Sequence, residues 1–391
     1  MNNTDDAMIT RHTAEHRFKV CHVIGNFVNG GVESVLLRYL PFFDKNKFEI
    51  HIVAHGVEVA SCLQSFVDLG CITHIITPKR VSLIRNIAEL YNLFSSEKYD
   101  VVHSHLTEWA CAPLFAAARA GVPIRINHSH MVEYPAGIRK IYYKARFMLG
   151  KKYSTHYFAC GESAARYLFG NEAYENGVVN IVPNAFNVSD YRFNKDARLK
   201  VRNDLCIDDE TYVIGHVGRF ERQKNHELLL DLFSEFHSNN PNSVLLLVGD
   251  GSLRCEMQNK IEELDLVNSV NLLGVRDDLP ELYSSFDLFV FPSLYEGLGI
   301  VLLEAQMAGL PVVASSEVPI EADVGGNLTT LSVKEAPAQW AKVCQDKIMD
   351  KRVEIPLNRI AQYDIDKAGP WFVALYECIL SDPTAYSKKD K

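Results

Sequence analysis

Asp287-Leu-Phe-Val-Phe-Pro-Ser-Leu-Tyr-Glu296-Gly-Leu-Gly-Ile-Val-Leu-Leu-Glu304-Ala-Gln-Met-Ala-Gly309-Leu-Pro311-Val-Val-Ala314 holds a strand, a loop, a helix and a second strand in one stretch. Leu288 to Phe291 is a continuous apolar run closed by Pro292, the pattern of a strand buried on both faces. A glycine-bearing loop follows. The helix is expected to start near Leu298 and to stop at Gly309, with Pro311 just beyond. Pro311 to Ala314 is the next apolar run, so two buried strands are joined through a helix, which implies a parallel sheet.

The same alternation runs outward in both directions. Upstream, strands are expected at Tyr212 to Val217, Val244 to Val248 and Val270 to Leu273, with helices at His226 to His237, Leu253 to Leu264 and Leu279 to Phe286. A polar stretch from Asp190 to Glu210 interrupts the pattern and marks a domain junction. Before it lies another series. Strands are expected at Phe18 to Gly25, Phe48 to Ala54, Ile72 to Ile76, Val101 to His103 and Ile124 to Asn127, with helices at Val32 to Leu40, Ser82 to Ser95 and Trp109 to Ala120. The fold class is therefore α/β: two tandem Rossmann-like, doubly wound parallel sheets, spanning 1–190 and 191–365, with a cleft between them as the ligand site.

Composition agrees. The 391 residues are 47% hydrophobic and 23% charged, enough for two domains. Net charge is -9. Residues 1–190 carry 19 basic against 17 acidic side chains and residues 191–391 carry 21 against 32, so neither half offers the basic surface of a nucleic-acid binder. Nine cysteines lack any Cys-x2-Cys pair, which points to reduced thiols in a cytoplasmic protein. Met1 to Lys19 has no apolar core stretch of a signal peptide, and the most apolar later run, Ala110 to Ile126, contains Arg119 and Arg125.

Chemistry concentrates at the expected strand ends. Seven residues separate Glu296, in the loop, from Glu304, two turns into the helix, so both carboxylates can face one pocket. A carboxylate accepts two hydrogen bonds from a vicinal diol, which suits Glu304 to a ribose and Glu296 to a sugar hydroxyl. The alternative is a helix-terminal charge and a solvated glutamate. Gly218-Arg219-Phe-Glu-Arg-Gln-Lys224-Asn225 follows the first strand of the second unit, where Arg219 and Lys224 would meet a diphosphate.

The Glu-x7-Glu pair within Ser293 to Ala314 resembles the signature of retaining GT-B glycosyltransferases of family 4 (group 1), and the chain is most similar to bacterial exopolysaccharide and capsule members. The resemblance covers nearly the whole chain. It implies a first domain that binds acceptor, a second that binds a nucleotide-sugar donor, and a final helix, 366–391, returning to the first domain. It makes Arg219 and Lys224 the donor-phosphate clamp, assisted by the helix start at Gly297, Leu298 and Gly299. It makes Gly249 and Gly251 a tight turn lining the nucleotide pocket, and gives Val275 and Arg276 to the nucleobase.

Gly30-Gly31-Val32-Glu33 looks like the family's glycine loop, which approaches the diphosphate from the opposite wall, although a purely structural turn is the alternative. His103-Ser-His105 and His128-Ser-His130 close two expected strands, and such alternating pairs, which put i and i+2 on one face, have a catalytic metal as their lesser alternative reading. The resemblance places one of His128 and His130 beside the donor sugar and implies no metal and no other cofactor. Two segments depart from the family pattern: Pro183-Asn184-Ala185, and Glu317-Val-Pro-Ile-Glu321, whose Glu321 faces either the sugar or solvent.

No acidic residue lies between Glu133 and Glu162, while Arg139, Lys140, Lys144, Arg146, Lys151 and Lys152 alternate with apolar and aromatic residues. Residues 138–152 therefore read either as a basic amphipathic helix for an anionic membrane surface or as a packing helix. The expected activity is a metal-independent, retaining transfer from a nucleotide sugar, UDP-linked, to a growing lipid-linked glycan. A UDP-sugar epimerase and a noncatalytic partner subunit are the alternatives.

Overall fold

The computed structural model describes residues 17–28, 30–130, 138–325 and 327–387. The apolar runs form two separate sheets, every strand pair of which is parallel. The first sheet contains β1 (Phe18–Val23), β2 (Phe48–Ala54), β3 (Ile72–Ile75), β4 (Val101–Ser104), β5 (Ile124–Ser129), β6 (His156–Ala159) and β7 (Val179–Ile181), in the order β3-β2-β1-β4-β5-β6-β7. The second contains β8 (Tyr212–Val217), β9 (Ser243–Val248), β10 (Val270–Gly274), β11 (Leu288–Phe291), β12 (Val312–Ser315) and β13 (Leu328–Leu331), in the order β10-β9-β8-β11-β12-β13.

Each sheet reverses its winding direction once, between β1 and β4 and between β8 and β11. Ligands of such sheets bind beyond the carboxyl ends of the strands at that reversal. Asp287, the first residue of the quoted stretch, fixes the second reversal from below: it accepts from the Val213 amide at 2.8 Å and from the buried Arg202 at 2.7 Å. Strands β6, β7 and β13 were not anticipated. They are three or four residues long and carry His156, Asn180 and two threonines, too short and polar for an apolar run to stand out.

The chain passes between domains twice, at neighbouring points. Val182 and Ala185 lie in the first core, Phe186 and Val188 in the second. There Phe186 pairs with the returning segment, donating to Tyr363 O at 2.8 Å and accepting from the Ile365 amide at 3.0 Å. The helix Ile365–Ser381 then buries Phe372 and Tyr376 in the first core, with Phe372 4.8 Å from the ring of Tyr39. Gly369 permits this packing, since a Cβ there would fall 2.5 Å from the ring of Phe42.

The basic segment forms the helix Ile138–Tyr153. Ile141, Tyr142, Lys144, Met148, Leu149 and Lys152 are exposed along it. Arg146 departs from the amphipathic reading. Its side chain is buried, with the guanidinium 3.1 Å from the ring centre of Trp109 and 3.8 Å from that of Tyr142. Among the described residues, no helix is long and apolar enough to cross a membrane.

Candidate active site

Four loops leave the carboxyl ends of β8, β9, β10 and β11 and pack on one another. Gly249, at φ +135°, allows the closest approach: a Cβ there would lie 2.1 Å from the carbonyl oxygen of Gly218. At Gly251 a Cβ would meet the carbonyl of Phe220 at 2.6 Å. The Gly-x-Gly pair therefore seats the β9 loop directly on the loop that carries Arg219. A cleft of about 910 Å³ opens above them. Arg219, Gly249, Gly251, Val275 and Arg276 line one wall, while Val28, Ser34, Arg38 and Cys62 of the first domain line the other. Arg276 is already engaged, held by Asp278 at 2.6 and 2.7 Å.

The β8 and β11 loops are zipped together by backbone and amide contacts. Leu294 N donates to Gln223 O at 2.8 Å, Gln223 Nε2 to Tyr295 O at 2.9 Å, and Asn225 Nδ2 to Pro292 O at 3.2 Å. This zipper places Lys224 Nζ 2.6 Å from Glu296 Oε1, above the ring of Phe291. Both side chains are largely buried, and a charge pair held at that distance in a dry site is strongly oriented.

The helix after this loop is Ile300–Met307, two residues later than the expected start at Leu298. Gly299 explains the shift, because its left-handed φ of 72° breaks the helical path. Leu298 instead buries its side chain in the second core, and Gly297 completes the turn. Gly309, at φ +74°, follows the helix end. Glu304 is 1% exposed, and both its oxygens are engaged: Tyr283 donates to Oε2 at 3.1 Å and Arg38, from the facing domain, to Oε1 at 3.3 Å.

In the first domain, Gly30 precedes the helix Gly31–Tyr39, and Glu33 folds back over it so that a Cβ on Gly30 would lie 2.5 Å from Glu33 Oε2. Burial pushes the Glu33 carboxyl up to about 7, opposed by the positive charge of Arg219 across the cleft. Glu321 also bridges the domains. Its Oε1 accepts from the Ser163 amide at 3.2 Å, at the start of the helix Glu162–Phe169. A second cavity of about 580 Å³ lies on this hinge side, lined by Glu321, Glu162, Tyr174, Lys367 and Trp371 among others.

The four histidines at the ends of β4 and β5 gather with a fifth, His22 of β1, which pairs in register with His103. His105 Nε2 lies 3.0 Å from His22 Nδ1 and His105 Nδ1 lies 2.7 Å from His130 Nε2. His128 Nδ1 lies 3.0 Å from His103 Nε2, whose other nitrogen is 2.5 Å from the hydroxyl of Tyr376. Burial holds His22 and His130 down to about 3 and His103, His105 and His128 well below the usual imidazole range, so all five are neutral.

Arg38, Tyr283 and His22 were not singled out in the sequence, and Glu33 was named there only as the last residue of the glycine loop. Arg38 and Glu33 sit on a helix whose apolar stripe masks its cleft-facing side. Tyr283 reads as one more core aromatic. His22 meets His103 only through the β1–β4 pairing, which sequence spacing does not reveal.

Residues 29–190 match the family model described as glycosyltransferase family 4, and residues 198–354 match that of glycosyl transferases group 1. The chain is 31% identical over 335 residues to the putative glycosyltransferase EpsF of Bacillus subtilis, covering 83% of this chain and 86% of that protein. It is 28% identical over 315 residues to the Escherichia coli UDP-Gal:alpha-D-GlcNAc-diphosphoundecaprenol alpha-1,3-galactosyltransferase, covering 77% and 80% respectively. Among solved structures, Anabaena HepE in complex with UDP and glucose superposes with a TM-score of 0.75 over 92% of this chain and 100% of its own, at 18% identity.

Proposed function

The chain belongs to the group 1 glycosyltransferases of family 4, and from that premise we propose that it transfers a sugar, with retention, from a UDP-linked donor to a lipid-linked glycan in exopolysaccharide or capsule assembly. The observation that carries the reading is the two-walled cleft of about 910 Å³, with Arg219 on one side and Val28, Ser34 and Arg38 of the first domain on the other. The UDP donor and the diphosphate-lipid acceptor are supported by the name of the Escherichia coli relative.

In this reading the nucleobase lies against Val275 and Arg276 and the ribose against Glu304. The diphosphate lies between Arg219, Lys224 and the first turn of the helix Ile300–Met307, where fixed positive charge stabilises the negative charge growing on the leaving group. Glu296 is salt-bridged to Lys224 and so is assigned to sugar hydroxyls rather than to attack on the anomeric carbon. The acceptor hydroxyl then enters on the face the diphosphate leaves, and passes its proton to a departing phosphate oxygen. His128 or His130 lies beside the sugar, and the transfer uses no metal and no other cofactor.

The exposed side of the helix Ile138–Tyr153 supports peripheral attachment of this cytoplasmic enzyme to the inner face of the membrane. Lys144 and Lys152 alternate there with Ile141, Met148 and Leu149, which suits an anionic interface. The test is to incubate the protein with UDP-sugars and an undecaprenyl diphosphate-linked sugar. Extension of the lipid-linked sugar with an α linkage is expected. Conversion of the UDP-sugar without acceptor would indicate an epimerase instead.

A further inference from the structure

The histidine cluster holds an arrangement that the transfer reaction does not require. His105, His128 and His130 each present a ring nitrogen, and the three nitrogens lie within 4.8 Å of one another. His128 is 2% exposed, and its Nε2 has no hydrogen-bond partner among the described residues. An orphaned ring nitrogen in a dry site is costly unless something binds it. We propose that His105, His128 and His130 form a site for one borderline-soft divalent cation of the zinc class.

The surroundings are those of a built metal site. A ligating imidazole needs its second nitrogen fixed as an N–H donor, and two of the three ligands, His128 and His105, have such support here. With His128 Nε2 as ligand, its Nδ1–H donates to His103 Nε2 at 3.0 Å, and His103 Nδ1–H in turn donates to the Tyr376 hydroxyl at 2.5 Å. With His105 Nδ1 as ligand, its Nε2–H donates to His22 Nδ1 at 3.0 Å. One set of tautomers thus fixes the rings of His128 and His105 while turning their lone pairs inward, and leaves His22 Nε2 without a hydrogen-bond partner among the described residues.

Tetrahedral ligands at zinc distances of about 2.0–2.1 Å stand roughly 3.3 Å apart. The 2.7 Å contact between His105 Nδ1 and His130 Nε2 therefore has to open by about half an ångström, a small rotation of the less buried His130 ring. Three neutral imidazoles without a carboxylate favour zinc, cobalt or nickel and disfavour magnesium and calcium. Cation binding stands independently of the proposed reaction. A second consequence does rest on it: if His128 or His130 attends the donor sugar, the bound cation removes that residue and inhibits transfer reversibly.

The test is titration of the metal-free full-length protein with Co²⁺, read by visible absorption and by equilibrium dialysis. One equivalent is expected, with tetrahedral bands, displacement by Zn²⁺ and no competition from Mg²⁺. The absence of a thiolate charge-transfer band separates this site from the exposed Cys206, Cys255 and Cys378. His130→Gln, at the partly exposed ligand, and His128→Gln are each expected to weaken binding at least tenfold while keeping the wild-type far-UV circular dichroism. No stoichiometric uptake by the folded wild type, or uptake unchanged in both variants, overturns the site. Transfer that is unaffected by Zn²⁺ while the cobalt spectrum appears would leave the site standing and contradict the role of these histidines in transfer.

Discussion

Arg38 of the first domain donates to Glu304 of the second at 3.3 Å, so one carboxylate is shared between the interdomain contact and the proposed ribose site. Glu304 is nearly fully buried and Arg38 about a quarter exposed. Removing the cation leaves a buried carboxylate held by the hydroxyls of Tyr283 and Tyr191, with no positive charge to balance it. Arg38→Ala is expected to lose about 1–3 kcal/mol of stability. Urea denaturation measures it, and an unchanged midpoint would show that the contact carries no weight.

Lys224→Ala is expected to weaken UDP binding by roughly 10- to 150-fold, the loss of one charge-assisted phosphate contact of about 1.5–3 kcal/mol. The backbone and amide contacts that join the β8 and β11 loops do not use the Lys224 side chain, so the fold should survive although Glu296 loses its ion pair. Calorimetric titration with UDP decides the matter. Undiminished affinity removes Lys224 from the phosphate.

Membrane attachment makes a quantitative demand on the helix Ile138–Tyr153. Each basic residue near an anionic surface contributes about 1 kcal/mol, so Lys144→Glu with Lys152→Glu should cost at least about 2 kcal/mol, or roughly 30-fold in partitioning. Co-sedimentation with phosphatidylglycerol vesicles at low salt is the measurement. If the wild type stays in the supernatant, the exposed face has another use.

Glu33 makes stability depend on pH near neutrality. Its folded carboxyl is raised from an ordinary 4.5 to about 7, so between these values the native state holds a proton that the unfolded chain has released. The stability this contributes is complete below about 4.5 and is lost as pH rises through about 7. Wild type should therefore lose about 2.5 kcal/mol relative to Glu33→Gln between pH 5 and pH 8. Parallel curves for the two proteins would mean that Glu33 titrates normally.

Much of this architecture was legible beforehand because both sheets are buried on two faces. Runs such as Leu288 to Phe291 and Tyr212 to Val217 show plainly as strands, and the observed bounds coincide with them. The short strands β6, β7 and β13 were not legible, since three or four residues with polar members leave no run to detect. For the site, loop residues with unusual spacing, Glu296, Glu304, Arg219 and Lys224, stood out, whereas Arg38 and His22 acquire meaning only from elements distant in sequence. Arg146 shows the opposite failure: its charge suggested a solvated face, but Trp109 gives it an aromatic surface on which to be buried.

The central claim is that Glu304 reads the ribose of a nucleotide donor, and a pair of titrations with UDP and 2′-deoxyuridine diphosphate tests it most directly. Wild type should bind the deoxy nucleotide more weakly. Glu304→Ala should lose about 2–3 kcal/mol for UDP, roughly 30- to 150-fold, and scarcely distinguish the two nucleotides. A Glu304→Ala protein that folds normally yet discriminates against the deoxy nucleotide as strongly as wild type would contradict the claim, and would leave Glu304 a structural partner of Arg38, Tyr283 and Tyr191.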